Sequence, residues 1–114
     1  MNSKNIVVKI DGKRLVDADH FHDEFSKKFG FPDFYGRNMD AWIDCMSSLD
    51  WPEAKMTSFH VDKGKVVTIL ISNYKYFKKA APKQWLDLIE CSAFVNKRCV
   101  DPGINPLLAL AFHE

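Results

Sequence analysis

The stretch Phe31-Pro32-Asp33-Phe34-Tyr35-Gly36-Arg37-Asn38-Met39-Asp40-Ala41-Trp42-Ile43-Asp44-Cys45-Met46 sets two aspartates one helical turn apart, directly after an aromatic-glycine turn. Asn38 is a good N-cap, so a helix is expected to open there and to run to about residue 49 or 50, with Pro52 shortly beyond. Projected at about 100° per residue, Met39, Trp42, Ile43, Met46 and Leu49 fall within an arc of about 120°, a core-facing stripe. Asp40 and Asp44 lie outside it, beside each other. Like charges at i and i+4 cost an isolated helix about 0.2–0.5 kcal/mol, so folding alone gives no reason to place them together.

Upstream, Ile6-Val7-Val8-Lys9-Ile10 is β-branched and ends at the turn pair Asp11-Gly12, the pattern of a first strand. Asp19 is placed to cap a helix carrying Phe21, Phe25 and Phe29 at i, i+4 and i+8, which Gly30 ends. Downstream, Lys65-Val66-Val67-Thr68-Ile69-Leu70-Ile71 is apolar on both faces, as expected of the central strand of a covered sheet. Ser58-Phe59-His60-Val61, before Asp62-Lys63-Gly64, is spaced to pair antiparallel with it as a hairpin. Asn73 is a candidate cap for a short helix bearing Tyr74 and Phe77. Pro82 suits the start of another, with Trp85, Leu86, Ile89 and Ala93 keeping one face through Phe94. Asp101-Pro102-Gly103 breaks the chain, and residues 107–112 read as a last buried strand. Strands alternating with helices predict α/β architecture. Without a repeat, low-complexity tract or long linker, residues 1–114 are expected to form one domain.

A chain of 114 residues is long enough to bury a core without metal or disulfide staples. Its 46% hydrophobic and 27% charged residues are globular values, and a net charge of +1 selects no class of partner. The distribution says more: residues 31–51 carry a net −3, whereas residues 55–99 carry +6. Cys45, Cys91 and Cys99 are odd in number and contain no C-x-x-C pair, which argues against a disulfide framework or zinc knuckle and for reduced thiols in a cytoplasm. Met1-Asn2-Ser3-Lys4-Asn5 leads into a run too short and charged for a signal-peptide core, and no apolar stretch nears the roughly 20 residues needed to span a bilayer. A cytoplasmic location is therefore expected.

Phe34-Tyr35-Gly36-Arg37-Asn38-Met39-Asp40-Ala41-Trp42-Ile43-Asp44-Cys45-Met46 resembles the barstar family, whose hallmark is Tyr-Tyr-Gly-x-Asn-Leu-Asp-Ala-x-x-Asp-Cys-Leu. The match is gap-free over these positions, extends backward through residues 21–29 and Pro32, and fades after about residue 50. The resemblance implies a small parallel sheet of about three strands flanked by helices, to which a hairpin strand near residues 58–61 is the expected addition. It also implies an inhibitor that plugs a ribonuclease active site with its acidic helix. By the same resemblance Asp44 holds the position whose carboxylate enters the enzyme's phosphate site, and Asp40 the position that pairs with a basic residue at the cleft wall. Tyr35, Phe34, Gly36, Asn38, Arg37 and Ile43 complete the implied partner-binding face.

Several positions depart from the family pattern. Phe34 stands for a tyrosine, so that hydroxyl is absent; one of Phe34 and Tyr35 is expected to pack the helix entry and the other to meet the partner. Gly36 reads as a turn residue needing positive φ. Arg37 stands where the family archetype has an acid, and is placed to pair with Asp40 at i+3 or with an acid on the partner. A Leu-Trp pair between the aspartates is reordered as Trp42-Ile43, which moves the aromatic toward the core stripe, and Leu49 replaces an aromatic. These changes imply a cognate ribonuclease distinct from barnase.

A dipole-stabilised surface carboxylate is the plain alternative for Asp40, worth about 0.3–1 kcal/mol in the first helical turn. Asp44 lies too far along for that, and its i+4 neighbour is Ser48 rather than a lysine. A ribonuclease must present a cationic cleft, which inserted carboxylates can occupy in place of phosphates. Three rivals stand beside this reading. Catalysis by the acid pair needs groups on opposing walls of a concave site, about 5–9.5 Å apart, not neighbours on one convex helix. His20, His22, His60 and His113 are ill placed as nucleophile partners or metal ligands, so no catalytic residue, metal or cofactor is expected. An RNA-binding surface from Lys75, Lys78, Lys79, Lys83, Lys97 and Arg98 with Tyr74, Tyr76 and Phe77 has the ingredients, yet a pI near 7.7 is low for one. Immunity against a delivered toxin nuclease would use the same fold and face.

Overall fold

β-branched and aliphatic runs become three parallel strands, β1 (Ile6–Asp11), β2 (Val67–Ser72) and β3 (Leu108–Phe112), in the order β1-β2-β3. Four helices fill the two crossovers that parallel pairing requires: α1 (Ala18–Phe29) and α2 (Met39–Met46) between β1 and β2, α3 (Tyr74–Ala80) and α4 (Pro82–Val100) between β2 and β3. The computed structural model describes residues 6–100 (the Val100 side chain excepted), together with Gly103 and residues 105–114. Asp101-Pro102, most of the expected chain break, and Met1-Asn2-Ser3-Lys4-Asn5 lie outside the described residues. Among those described, no helix is long and apolar enough to cross a membrane.

β2 is central as expected, but the sheet is sealed on one side only. Register pairs Val8 with Ile69 and Ile10 with Ile71, and these side chains are buried on one face along with Val67 and Leu108. The other face carries Val7, 44% exposed, exposed Lys9, and half-buried Thr68, Leu70, Ala109 and Ala111. The expected hairpin strand at residues 58–61 is absent. Ser58 N donates to the carbonyls of Phe29 (3.1 Å) and Gly30 (3.0 Å), Phe59 N to Phe29 O (3.2 Å) and Val61 N to Leu49 O (2.9 Å). The segment thus satisfies the open ends of α1 and of the α2 exit, which leaves those donors no role in a β ladder.

An aromatic ladder joins the helices beneath the sheet. Phe21, Phe25 and Phe29 are fully buried along one face of α1, with centroids 4.7 Å apart for the first pair and 5.9 Å for the second. Phe25 meets Trp42 of α2 edge-on at 5.6 Å, and Phe21 faces Phe77 of α3 at 6.4 Å. Asp17, not Asp19, caps α1, its carboxylate accepting from His20 N at 2.8 Å. Gly30 ends that helix at φ 65°, where an added Cβ would lie 1.6 Å from Ser58 Oγ. Asn73 does precede α3, but at φ 50°, and its amide donates to the Asp11 carboxylate at 2.9 Å rather than capping the helix.

α4 turns a different face inward from the one its large residues predict. Leu88, Ser92 and Val95 are buried and Trp85 is half-buried, while Leu86 is 56% exposed, Phe94 48% and Ile89 37%, and Ala93 is exposed as well. Two polar residues hide the true stripe in the sequence. Ser92 sits within it, and Asn96 clamps the start of β3: its Oδ1 accepts from Leu107 N (3.1 Å) and Leu108 N (2.9 Å), and its Nδ2 donates to Leu108 O (2.8 Å).

Candidate partner-binding site

α2 opens as its sequence predicts. Asn38 Oδ1 accepts from Ala41 N at 2.8 Å, and the helix then buries Trp42, Cys45 and Met46. It ends at Met46, earlier than residue 49 or 50, because the chain tightens through Ser47 and Ser48 into turns while Leu49 still reaches the core. This anchoring holds the opposite edge still, and there Asp40 and Asp44 are both exposed. Together with half-buried Ile43 they line an open groove of about 270 Å³ whose far wall is Phe94 and Arg98 of α4. Arg98 Nη1 stands 3.9 Å from the Asp44 carboxylate.

The turn before α2 divides its two aromatics. Phe34 is 75% exposed, whereas Tyr35 is half-buried against Phe31, with centroids 4.6 Å apart, and its hydroxyl is hydrogen-bonded to His22 Nδ1. Tyr35 is therefore the packing residue and Phe34 the free one. Gly36 does not supply the positive φ expected of it; Arg37 does, at 54°. What restricts Gly36 is space, since an added Cβ would lie 3.2 Å from the Asn38 amide nitrogen that donates to Gly36 O. Arg37 does not pair with Asp40 either. Its left-handed backbone turns the guanidinium to α1, where it meets Asp23 at 2.7 Å and the Asp19 carbonyl at 3.1 Å. Asn38 spends its side-chain oxygen on the cap.

Three residues of this site have no role in the sequence pattern of α2: Phe94 belongs by hydrophobicity to a buried face, Arg98 to a scattered basic surface, and His22 to neither. The i, i+4 spacing of Phe94 and Arg98, flanking the buried stripe of Leu88 and Val95 on α4, is the signal that finds the first two. The thiols nearby are kept protonated: burial, with Asp44 beside it, pushes Cys45 up to about 11, and burial also raises Cys91, with Asp87, Glu90 and Asp40 adding to the effect. Among the described residues no cluster of His, Cys, Asp and Glu is arranged to hold a metal ion.

His22 ties the turn to α1 and makes the fold sensitive to acid. Burial and then the Arg37 charge push its imidazole below the ordinary histidine range, outweighing Asp19, Asp23 and Asp87, while burial raises the Tyr35 hydroxyl. A neutral imidazole accepting from a protonated phenol fits both shifts. The unfolded chain takes up a proton near pH 6.5 that the folded chain resists, so stability from this group is present above about 6.5 and is lost as pH falls below it. Exposed His20, raised by its Asp17 hydrogen bond, acts in the opposite sense. Urea unfolding of His22→Gln is expected to show a shallower stability loss than the parent between about pH 7 and 5. Parallel slopes for the two proteins would locate the acid sensitivity elsewhere.

Among the described residues, three parallel strands flanked by four α-helices define a small α/β protein with an exposed acidic helix edge. The chain belongs to the barstar family: the family described as Barstar (barnase inhibitor) matches residues 5–111. The likeness thus runs through the C-terminal half, well beyond residue 50, where the quoted motif fades. A Bacillus subtilis (strain 168) protein named "Putative ribonuclease inhibitor YrdF" is 40% identical over 48 residues, 42% of this chain and 50% of that protein. The match therefore spans about half the length of that relative.

Proposed function

We propose that this protein inhibits a bacterial ribonuclease, binding it one to one and closing its cationic active-site cleft with α2. The observation that carries the reading is the pair of exposed carboxylates, Asp40 and Asp44, held one turn apart on a helix whose other side is locked into the core. Asp44 takes the place of a substrate phosphate, Asp40 pairs at the cleft wall, and Phe34 and Ile43 supply apolar contact beside them. Gly36, Asn38, Tyr35 and Arg37 position the turn and the helix start rather than reaching far outward. The protein catalyses nothing itself, works in the cytoplasm and needs no cofactor. Family membership and the printed name of the Bacillus relative support the inhibitor reading.

The basic surface is less suited to RNA than its composition implies. Lys75 pairs with Glu114 at 2.6 Å and Lys83 with Asp87 at 2.8 Å, while Lys78 lies over the Trp85 ring. A panel of small bacterial ribonucleases, the host's own included, is expected to contain at least one member fully inhibited at near-stoichiometric dose. Activity that survives excess folded protein across the whole panel would remove the inhibitor reading.

A further inference from the structure

α4 brings a cation to the acidic edge of α2, and holds it loosely. The Arg98 guanidinium lies 3.9 Å from the Asp44 carboxylate, 4.9 Å from the centre of the Phe94 ring and 3.5 Å from Ser47 Oγ. The two polar contacts are long, the ring contact is an ordinary cation–π distance, and the two charged side chains are 49% and 64% exposed. Such pairs hold weakly, because water screens the charges and both side chains give up rotamer freedom to meet. Arg37 is turned away to Asp19 and Asp23. The groove thus combines two carboxylates, one aromatic face and one displaceable guanidinium.

We infer that Arg98 is a tethered competitor: in the free protein its guanidinium occupies the place beside Asp44 and over Phe94 that an arginine of the partner takes in the complex. This rests on the inhibitor reading and adds to it the chemistry of the partner. A planar guanidinium can meet a carboxylate edge-on and lie against an aromatic ring at once, whereas an ammonium is a point charge with no flat face to offer. A partner must therefore present arginine at this groove to replace what it displaces. Surfaces that are only diffusely cationic are held off, because for them Asp44 is already answered.

The inference can be tested without the cognate enzyme by titrating hexa-arginine and hexa-lysine peptides into the protein at low ionic strength, following the amide signals of α2 by NMR. Arg98→Met removes the charge while keeping a flexible apolar stem against Phe94. It is expected to bind hexa-arginine about 2- to 5-fold more tightly than the parent, the range set by an exposed ion pair, with a smaller gain for hexa-lysine. Arg98→Lys should fall between the parent and Arg98→Met for hexa-arginine, because its ammonium keeps a charge near Asp44 but has no flat face for the Phe94 ring. Lys97→Met, one residue away and outside the groove lining, controls for net charge and should gain less. Unchanged or weaker binding by Arg98→Met overturns the inference, as does an equal gain from Lys97→Met. The ribonuclease panel decides the inhibitor reading separately, so failure of either is distinguishable from failure of the other.

Discussion

Asp44→Ala is expected to weaken binding to the cognate ribonuclease by about 2–5 kcal/mol, roughly a 30-fold to several-thousand-fold rise in Kd, and more than any other single substitution. On the proposed reading the carboxylate is desolvated in the complex against cations that hold substrate phosphate, so its removal would leave those cations buried without a counter-charge. Asp40→Ala should rank next. In the free protein the same change costs little. Asp44 is exposed, its only cation among the described residues is Arg98 at 3.9 Å, and losing that contact is balanced by relief of the like charge at Asp40. Calorimetric titration gives the affinity and thermal denaturation the stability. A clearly destabilised variant with unaltered affinity would make Asp44 a structural residue.

Trp42→Ala is expected to cost the fold about 3–5 kcal/mol, the range for emptying a buried aromatic site. The indole is fully buried and meets Phe25 edge-on, so its loss opens a cavity between α1 and α2. Trp42→Phe should cost much less. It keeps an aromatic ring and removes a buried indole N–H that has no hydrogen-bond partner among the described residues, a lack that costs about 1–3 kcal/mol. Urea unfolding of the two variants beside the parent checks the order. A loss below about 1 kcal/mol for Trp42→Ala would take Trp42 out of the core.

Much of the fold is legible because its signals are local. A β-branched run ending in Asp11-Gly12, the Phe21, Phe25, Phe29 spacing, Asn38 before an amphipathic turn, and Pro82 at a helix start each name their element without help from distant residues. What failed depended on tertiary partners. Residues 58–61 have a strand's composition, yet their N–H groups are claimed by carbonyls at Phe29, Gly30 and Leu49. The inward stripe of α4 includes Ser92 and Asn96, so hydrophobicity pointed to Leu86, Ile89 and Phe94 instead, residues that the fold leaves exposed.

The site divides along the same line. Asp40 and Asp44 stood out by violating a local rule, since neighbouring like charges on a helix do nothing for folding. Arg37 is an i+3 neighbour of Asp40 in sequence, but its positive φ carries the guanidinium to α1, and no pattern within the turn announces that. Arg98 lies 54 residues from Asp44, and only the packing of α4 on α2 brings it there. For the same reason the groove itself had no signature in α2 alone.

If carboxylates of α2 stand where substrate phosphate would stand, inhibitor and nucleotide must compete for the ribonuclease. The affinity of this protein for its ribonuclease should be measured at rising concentrations of a nucleoside monophosphate bound in the enzyme's active site. Mutual exclusion is expected, with apparent Kd rising linearly in nucleotide and without limit, and with Asp44→Ala showing the same dependence from a weaker starting point. An affinity that levels off or stays constant once the active site is saturated with nucleotide would mean that both ligands bind together, and would contradict the account.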